Sequence, residues 1–175
     1  NNFLIIRTNF FGWGTYYRNS FTDLIIKNLS LSKLTYLKSD VFFNPVYLGD
    51  LIDCLNILIK KDKTGVFNIS SNKKISKYSF GKMIARNFGF DLKLIKEDNY
   101  SDIPRPKNMA LDNKKILKIV PKKFLNLSTN IRNLKKDFSK PHVKNIIDFH
   151  PYGKHHLFKK DIDSVKKVLE STNLT

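Results

Sequence analysis

β-Branched apolar runs alternate with amphipathic helical stretches along the first 137 residues, and this alternation limits the chain to the α/β class. Asn2 to Thr8 is an apolar run that reads as a buried strand, and it ends in the loop Asn9-Phe10-Phe11-Gly12-Trp13-Gly14. Ser20 opens a helix from Phe21 to Leu29, with Asp23 three residues on as a capping-box partner. Thr35 to Leu37 reads as a short strand. Pro45 interrupts Val41 to Leu48, so that stretch is extended but not a central strand. Asp50 begins an apolar helix from Leu51 to Ile59 that ends in Lys60-Lys61, where the helix dipole favours cations.

Gly65 to Ser70 is a second apolar run of strand type. Ser76 caps a helix from Lys77 to Asn87, and Gly89 stops it. A short strand is expected at Leu92 to Ile95, then a polar loop from Glu97 to Pro106. Asp112 is expected to cap a helix reaching Ile119, Pro121 to end it, and Leu125 to Lys136 to form a further helix. Residues 138–150 have no clean period and contain Pro141, which reads as a linker. Ile162, Val165 and Leu169 share one face of a short helix from Asp161 to Leu169.

Charge is the compositional extreme. The 32 basic and 15 acidic residues give a net charge of +17 over 175 residues. Such an excess raises nucleic acid or an anionic surface as a partner. The basic residues are 27 Lys and only 5 Arg, whereas base-edge readout favours Arg. Ile and Asn, 18 each, are abundant as well, so Lys enrichment follows a general A/T-rich codon bias. A basic nucleic-acid-binding or scaffolding module remains the rival reading. Its footprint would be residues 59–137, with 20 basic against 7 acidic side chains. No apolar run approaches the roughly 18–20 residues of a membrane helix, so no membrane partner is expected. The single cysteine, Cys54, excludes an intrachain disulfide and fits a reducing, cytoplasmic setting. The chain opens mid-strand without Met, as a fragment would.

Few catalytic motifs survive inspection. No Gly-x-Gly-x-x-Gly, P-loop or Gly-x-Ser-x-Gly occurs. All four histidines lie in the last 34 residues without a cysteine among them, so no metal is expected. Tyr78 and Lys82 have the Tyr-x-x-x-Lys spacing, and any Tyr and Lys four apart on a helix satisfy it; they read as a surface pair. Arg105 sits between Pro104 and Pro106 in a stiffened loop. Spacing leaves open whether it is a phosphate ligand or a surface arginine in a turn. The loop Asn9 to Gly14 offers a pocket at the carboxyl end of a strand, where α/β folds place ligands.

Four segments, in order, carry a resemblance. They are Ile6-Arg7-Thr8-Asn9-Phe10-Phe11-Gly12 with Ser20-Phe21, Phe43-Asn44-Pro45-Val46-Tyr47-Leu48-Gly49-Asp50-Leu51, Gly65 to Ser70, and Arg105 to Asp112. Residues 1–137 resemble the C-terminal, substrate-binding half of dTDP-4-dehydrorhamnose reductases, in the extended short-chain dehydrogenase/reductase superfamily. The resemblance implies the C-terminal lobe of a Rossmann-type fold, a nucleotide-linked deoxysugar as substrate (a dTDP-sugar), and NADPH or NADH as cofactor. It places Thr8 and Asn9 near the nicotinamide and sugar. Ser20 and Arg105 fall near the diphosphate, and Phe43 and Asn44 beside the nucleotide. It also implies that the Rossmann glycines and the catalytic Tyr-x-x-x-Lys belong upstream, so that this chain alone is inactive. A nucleotide-sugar epimerase or dehydratase is the near alternative, and a homodimer is one arrangement open to the full-length enzyme. Two positions depart from the usual pattern: Ser20 stands where Asn is usual, and Val41 where Gln is usual. Residues 149–175, from Pro151-Tyr152-Gly153-Lys154-His155 onward, resemble the opening of PLP-dependent sugar aminotransferases. They lack that family's PLP lysine, so no PLP is expected.

Overall fold

The computed structural model describes residues 3–15, 17–98 and 106–138. Arg105, the 138–150 linker beyond Phe138, and the 161–169 helix lie outside the described residues. Four two-stranded pairings organise the chain, three of them parallel. Strand β1 (Leu4–Thr8) pairs with β6 (Gly65–Ile69), β2 (Phe10–Phe11) with β5 (Val46–Tyr47), and β3 (Thr35–Lys38) with β8 (Ile95–Asp98). Strand β4 (Phe42–Phe43) runs antiparallel to β7 (Ile75–Ser76). Between them lie helices α1 (Phe21–Ser30), α2 (Leu48–Lys60), α3 (Lys77–Phe88), the single-turn α4 (Lys114–Leu117) and α5 (Leu127–Phe138).

Two apolar clusters form the core. Around β3 and β8, Ile25, Ile26 and Leu29 of α1 meet Phe80, Ile84 and Ala85 of α3 and Leu127, Ile131 and Leu134 of α5. Against β6, Leu51, Cys54 and Leu58 of α2 meet Ile116 of α4, Val120 and Leu125. Cys54 is fully buried, and burial, with Asp50 and Asp53 nearby, pushes its thiol up to about 12. Ellman's reagent should therefore leave Cys54 unmodified in native buffer at pH 8, over a time in which the urea-unfolded chain reacts completely. Rapid native labelling would contradict this packing.

Helix ends with local signals fall where the sequence placed them. The Ser20 hydroxyl accepts from Asp23 N at 3.1 Å, and the Asp23 carboxylate accepts from Ser20 N at 2.6 Å, closing the capping box. The Ser76 hydroxyl accepts from Ser79 N at 3.1 Å. Gly89 ends α3 at φ +82°, a left-handed conformation that favours glycine.

Elsewhere the structure departs from expectation. Strand β1 is not buried on both faces: Ile5 is 48% exposed, because β1 alternates and only Leu4 and Ile6 face the α2 cluster. Leu92–Leu94 is a 3₁₀ turn, with the Asp91 carboxylate capping Lys93 N, and the strand starts only at Ile95. The Asp112 helix shrinks to one turn. Asp112 accepts from Lys114 N at 2.9 Å, but Ile119 and Val120 already fold back onto the Ile116 carbonyl ahead of Pro121. A second 3₁₀ turn, Lys122–Leu125, delays α5 to Leu127, where Asn126 Oδ1 caps Thr129 N at 3.0 Å. Helix α2 starts at Leu48, two residues before Asp50, because Asp50 is used inward. Its carboxylate accepts from Asn130 (2.8 Å) and Asn133 (3.0 Å) of α5, while burial raises its pKa above the ordinary carboxylate range. No helix among the described residues is long and apolar enough to cross a membrane.

Candidate functional site

The sequence from Phe10 to Phe21 carries six aromatic side chains in twelve residues, too many for one side of a two-residue strand and a loop. The fold sets five of them around a cleft of about 450 Å³ at the carboxyl end of β1 and β2. Phe10, Phe11, Trp13, Tyr17 and Phe21 line it, with Phe43 of β4 and Leu48 at the start of α2. Phe80 of α3 supports this wall from below. It meets Phe11 and Phe43 edge-on, at 5.1 and 5.5 Å between ring centres, and lies parallel to Phe21 at 6.2 Å. Trp13 Nε1 donates to the Leu134 carbonyl at 3.0 Å, which fastens the far wall to α5.

One carboxylate fixes the rim. Asp23 Oδ2 accepts from both Gly14 N (2.8 Å) and Ser20 N (2.6 Å), closing the loop between them. Inside that loop Thr15 and Arg18 exchange backbone bonds of 3.0 and 3.2 Å. A Cβ on Gly14 would run into the Arg18 carbonyl and Asp23 Oδ2, so the loop closes this tightly only on glycine. Asp23 is almost fully buried. Burial raises its pKa, and the bonds from Ser20 and Gly14 act against the shift.

A second constellation lies behind the cleft. Asn9 Nδ2 donates to the Met109 carbonyl at 2.7 Å and reaches Asn44 Oδ1 at 3.4 Å. Asn44 accepts from Leu111 N (2.9 Å) and donates to the Leu111 carbonyl (2.8 Å) and to Ser70 Oγ (2.9 Å). Segment 107–109 lies along β4 through Phe42 N to Lys107 O and Met109 N to Phe42 O, both 2.8 Å. The structure thus brings the four motif segments together, as neighbours separated by up to a hundred residues in sequence.

The residues singled out from sequence have different places. Ser20 and Phe43 line the cleft. The Ser20 hydroxyl is committed, donating to the Gly12 carbonyl at 2.7 Å while accepting from Asp23 N. Asn9 and Asn44 belong to the constellation behind the cleft. Thr8, at the end of β1, has a buried hydroxyl without a hydrogen-bond partner, an orphan that fits a polar group of a bound ligand. Tyr78 and Lys82 stack as a cation over a ring at 4.3 Å on α3 and do not line the cleft. Trp13, Tyr17, Arg18 and Thr22 of the cleft were not anticipated individually; the aromatic density of residues 10–21 was the available signal. Among the described residues no cluster of three or more His, Cys, Asp or Glu could hold a metal ion.

The sequence matches the RmlD substrate binding domain over residues 1–139. The chain belongs to this family. The match ends short of residues 149–175, and their aminotransferase resemblance is not supported. No curated protein matches the chain. Among solved structures, a dTDP-4-dehydrorhamnose reductase from Clostridium acetobutylicum is similar at 24% identity and a TM-score of 0.61, over 75% of this chain and 49% of that one. The reductase from Bacillus anthracis, solved in complex with NADP, aligns at 22% identity and a TM-score of 0.61, over 79% and 48%. A dTDP-glucose 4,6-dehydratase from the same organism, in complex with NAD, aligns at 15% identity and a TM-score of 0.57, over 82% and 47%. The fold is therefore the one these structures share, a mixed α/β Rossmann-like fold of which this chain forms part. The chain spans about half the length of these structures.

Proposed function

We propose that this chain is the nucleotide-sugar-binding lobe of an NAD(P)-dependent reductase acting on a dTDP-linked 4-keto deoxysugar, in the cytoplasmic synthesis of surface polysaccharide. The observation that carries the reading is the family match over residues 1–139, whose first two motif segments line one aromatic cleft while Asn9 and Asn44 tie them to the other two behind it. Aromatic walls suit a nucleobase and a sugar ring. A nicotinamide cofactor would supply the hydride, and Thr8 and Asn9 are the residues of this chain proposed to lie near it; the unpartnered Thr8 hydroxyl supports the first of them. The proton donor and most of the cofactor site are assigned to the other half of the enzyme, so the purified chain is expected to turn over no substrate. The exposed apolar side chains Phe3, Ile5 and Val66 are proposed to pack on that half. In support, each solved relative is about twice as long as the region it shares with this chain. Residues 1–137 are proposed as one lobe, 138–150 as a linker and 149–175 as an appended segment that binds no PLP. Arg105, two residues before Lys107, is assigned to the diphosphate, and assembly of the whole enzyme as a homodimer is compatible with this division.

The rival is polyanion binding by the basic stretch 59–137. Titration of the chain with dTDP and with a DNA duplex, each at low and physiological salt, separates the two. The reductase reading expects saturable dTDP binding and little duplex affinity at physiological salt. Duplex binding that persists there, falling with a steep log–log salt slope, without dTDP binding would replace it.

A further inference from the structure

Ser20, at the start of α1, is the residue from which a helix-terminus phosphate site would be built, and in this chain it is spent. Its hydroxyl is bonded to Gly12 O and Asp23 N, and its backbone N–H is held by Asp23 Oδ2. The Asp23 carboxylate stands at the helix terminus where an anion would otherwise sit. Of the polar side chains lining the cleft without a committed partner, which include Thr15 and Asn19, two stand out. Thr22 lines it, and its Oγ1 is buried without a hydrogen-bond partner. Arg18 is the only charged side chain among the described residues that line it.

Arg18 is also held in place. The reciprocal backbone bonds with Thr15 fix its main chain, and Asp23 ties both ends of the loop, at Gly14 and Ser20. The main chain is thus set before a ligand enters, only the side chain must be ordered, and its planar fork of donors suits phosphate oxygens. We propose that Arg18 and the Thr22 hydroxyl contact the phosphates from this cleft, in addition to the Arg105 assigned above, and that Ser20 serves to position the loop and does not touch the anion. The ligand class is a ring-bearing phosphate ester, with its rings against Phe10, Trp13 and Tyr17 and its phosphates at Arg18. The inference rests on the nucleotide-sugar reading above and deepens it by naming residues for the diphosphate.

The test is a solution NMR titration of the full chain with dTDP and with thymidine, which detects weak binding, on native protein and on Arg18→Ala, Arg18→Lys, Thr22→Val and Arg132→Ala. Arg132 is an exposed arginine of α5 outside the cleft, and its loss removes the same charge. Arg18→Ala should weaken dTDP about tenfold or more and leave thymidine within about twofold, the loss expected for a charge-assisted contact. Arg18→Lys should keep part of the affinity, Thr22→Val should lose a smaller share, and Arg132→Ala should stay within about twofold of native. Equal dTDP affinity for native and Arg18→Ala overturns the assignment and leaves the nucleotide reading standing. An equal loss in Arg132→Ala also overturns it, because the effect is then overall charge. Native protein that binds neither ligand removes the nucleotide reading and this assignment with it.

Discussion

Phe80→Ala should cost about 3–5 kcal/mol of stability, a large part of the roughly 5–15 kcal/mol that holds a domain of this size. Phe80 is fully buried, on a face of α3 that also buries Ile84. Three of its neighbours, Phe11, Phe21 and Phe43, come from three different elements and line the cleft on their other side. Removing the ring deletes apolar contacts and leaves a hole that these rings can fill only by leaning inward, which reshapes the cleft wall. Urea unfolding should show the stability loss. In protein that is still folded, dTDP affinity should fall as well, although residue 80 does not line the cleft. Phe80→Leu, which keeps much of the apolar volume, should show a smaller version of both effects. A loss below about 1 kcal/mol for Phe80→Ala would mean that the aromatic wall does not depend on this ring.

What could be read from the chain without coordinates follows the range of the interaction. Helices α1 and α3 are set by residues three or four apart, Ser20 with Asp23 and Ser76 with Ser79, and by Gly89; such signals are visible in any short window. Strands of two residues are not. Phe10–Phe11, Phe42–Phe43 and Ile75–Ser76 are strands because of partners more than thirty residues away, and their own sequences carry no period to announce them. The segment just after the polar loop, 107–109, pairs with Phe42 for the same reason, which no local pattern reveals. The candidate site divides along the same line. The resemblance supplied Ser20 and Phe43, which line the cleft, but it could not show that the Ser20 hydroxyl is consumed by Gly12 and Asp23. That fact depends on how the loop closes. Arg18 could have been noticed as one of five arginines in a chain of 27 lysines, inside the most aromatic stretch of the sequence.

Asn44 should be the least replaceable polar residue behind the cleft. Its planar amide pairs with both backbone groups of Leu111, accepting from the N–H at 2.9 Å and donating to the carbonyl at 2.8 Å. One side chain thus imitates the strand partner that Leu111 lacks. The second amide hydrogen reaches Ser70 Oγ, and the backbone carbonyl of Asn44 accepts from Ser71 N at 3.0 Å. Three segments distant in sequence therefore meet at a residue only 5% exposed. Asn44→Ala strands the half-buried Leu111 groups and the buried Ser70 Oγ, and at about 1–3 kcal/mol for a buried group left unpaired, less where water can reach it, the loss should be on the order of 2–4 kcal/mol. Asn44→Asp keeps the shape but offers the Leu111 carbonyl no donor when ionised, and it buries a charge. It should therefore recover little at pH 7 and more as the pH falls and the carboxyl gains a proton that it can donate. Urea midpoints at pH 7 and pH 5, with amide exchange at Leu111, measure both effects. Unchanged exchange at Leu111 in Asn44→Ala would show that segment 107–111 is held by its pairing with Phe42 alone. In that case the asparagine would be free to serve a ligand instead of the fold.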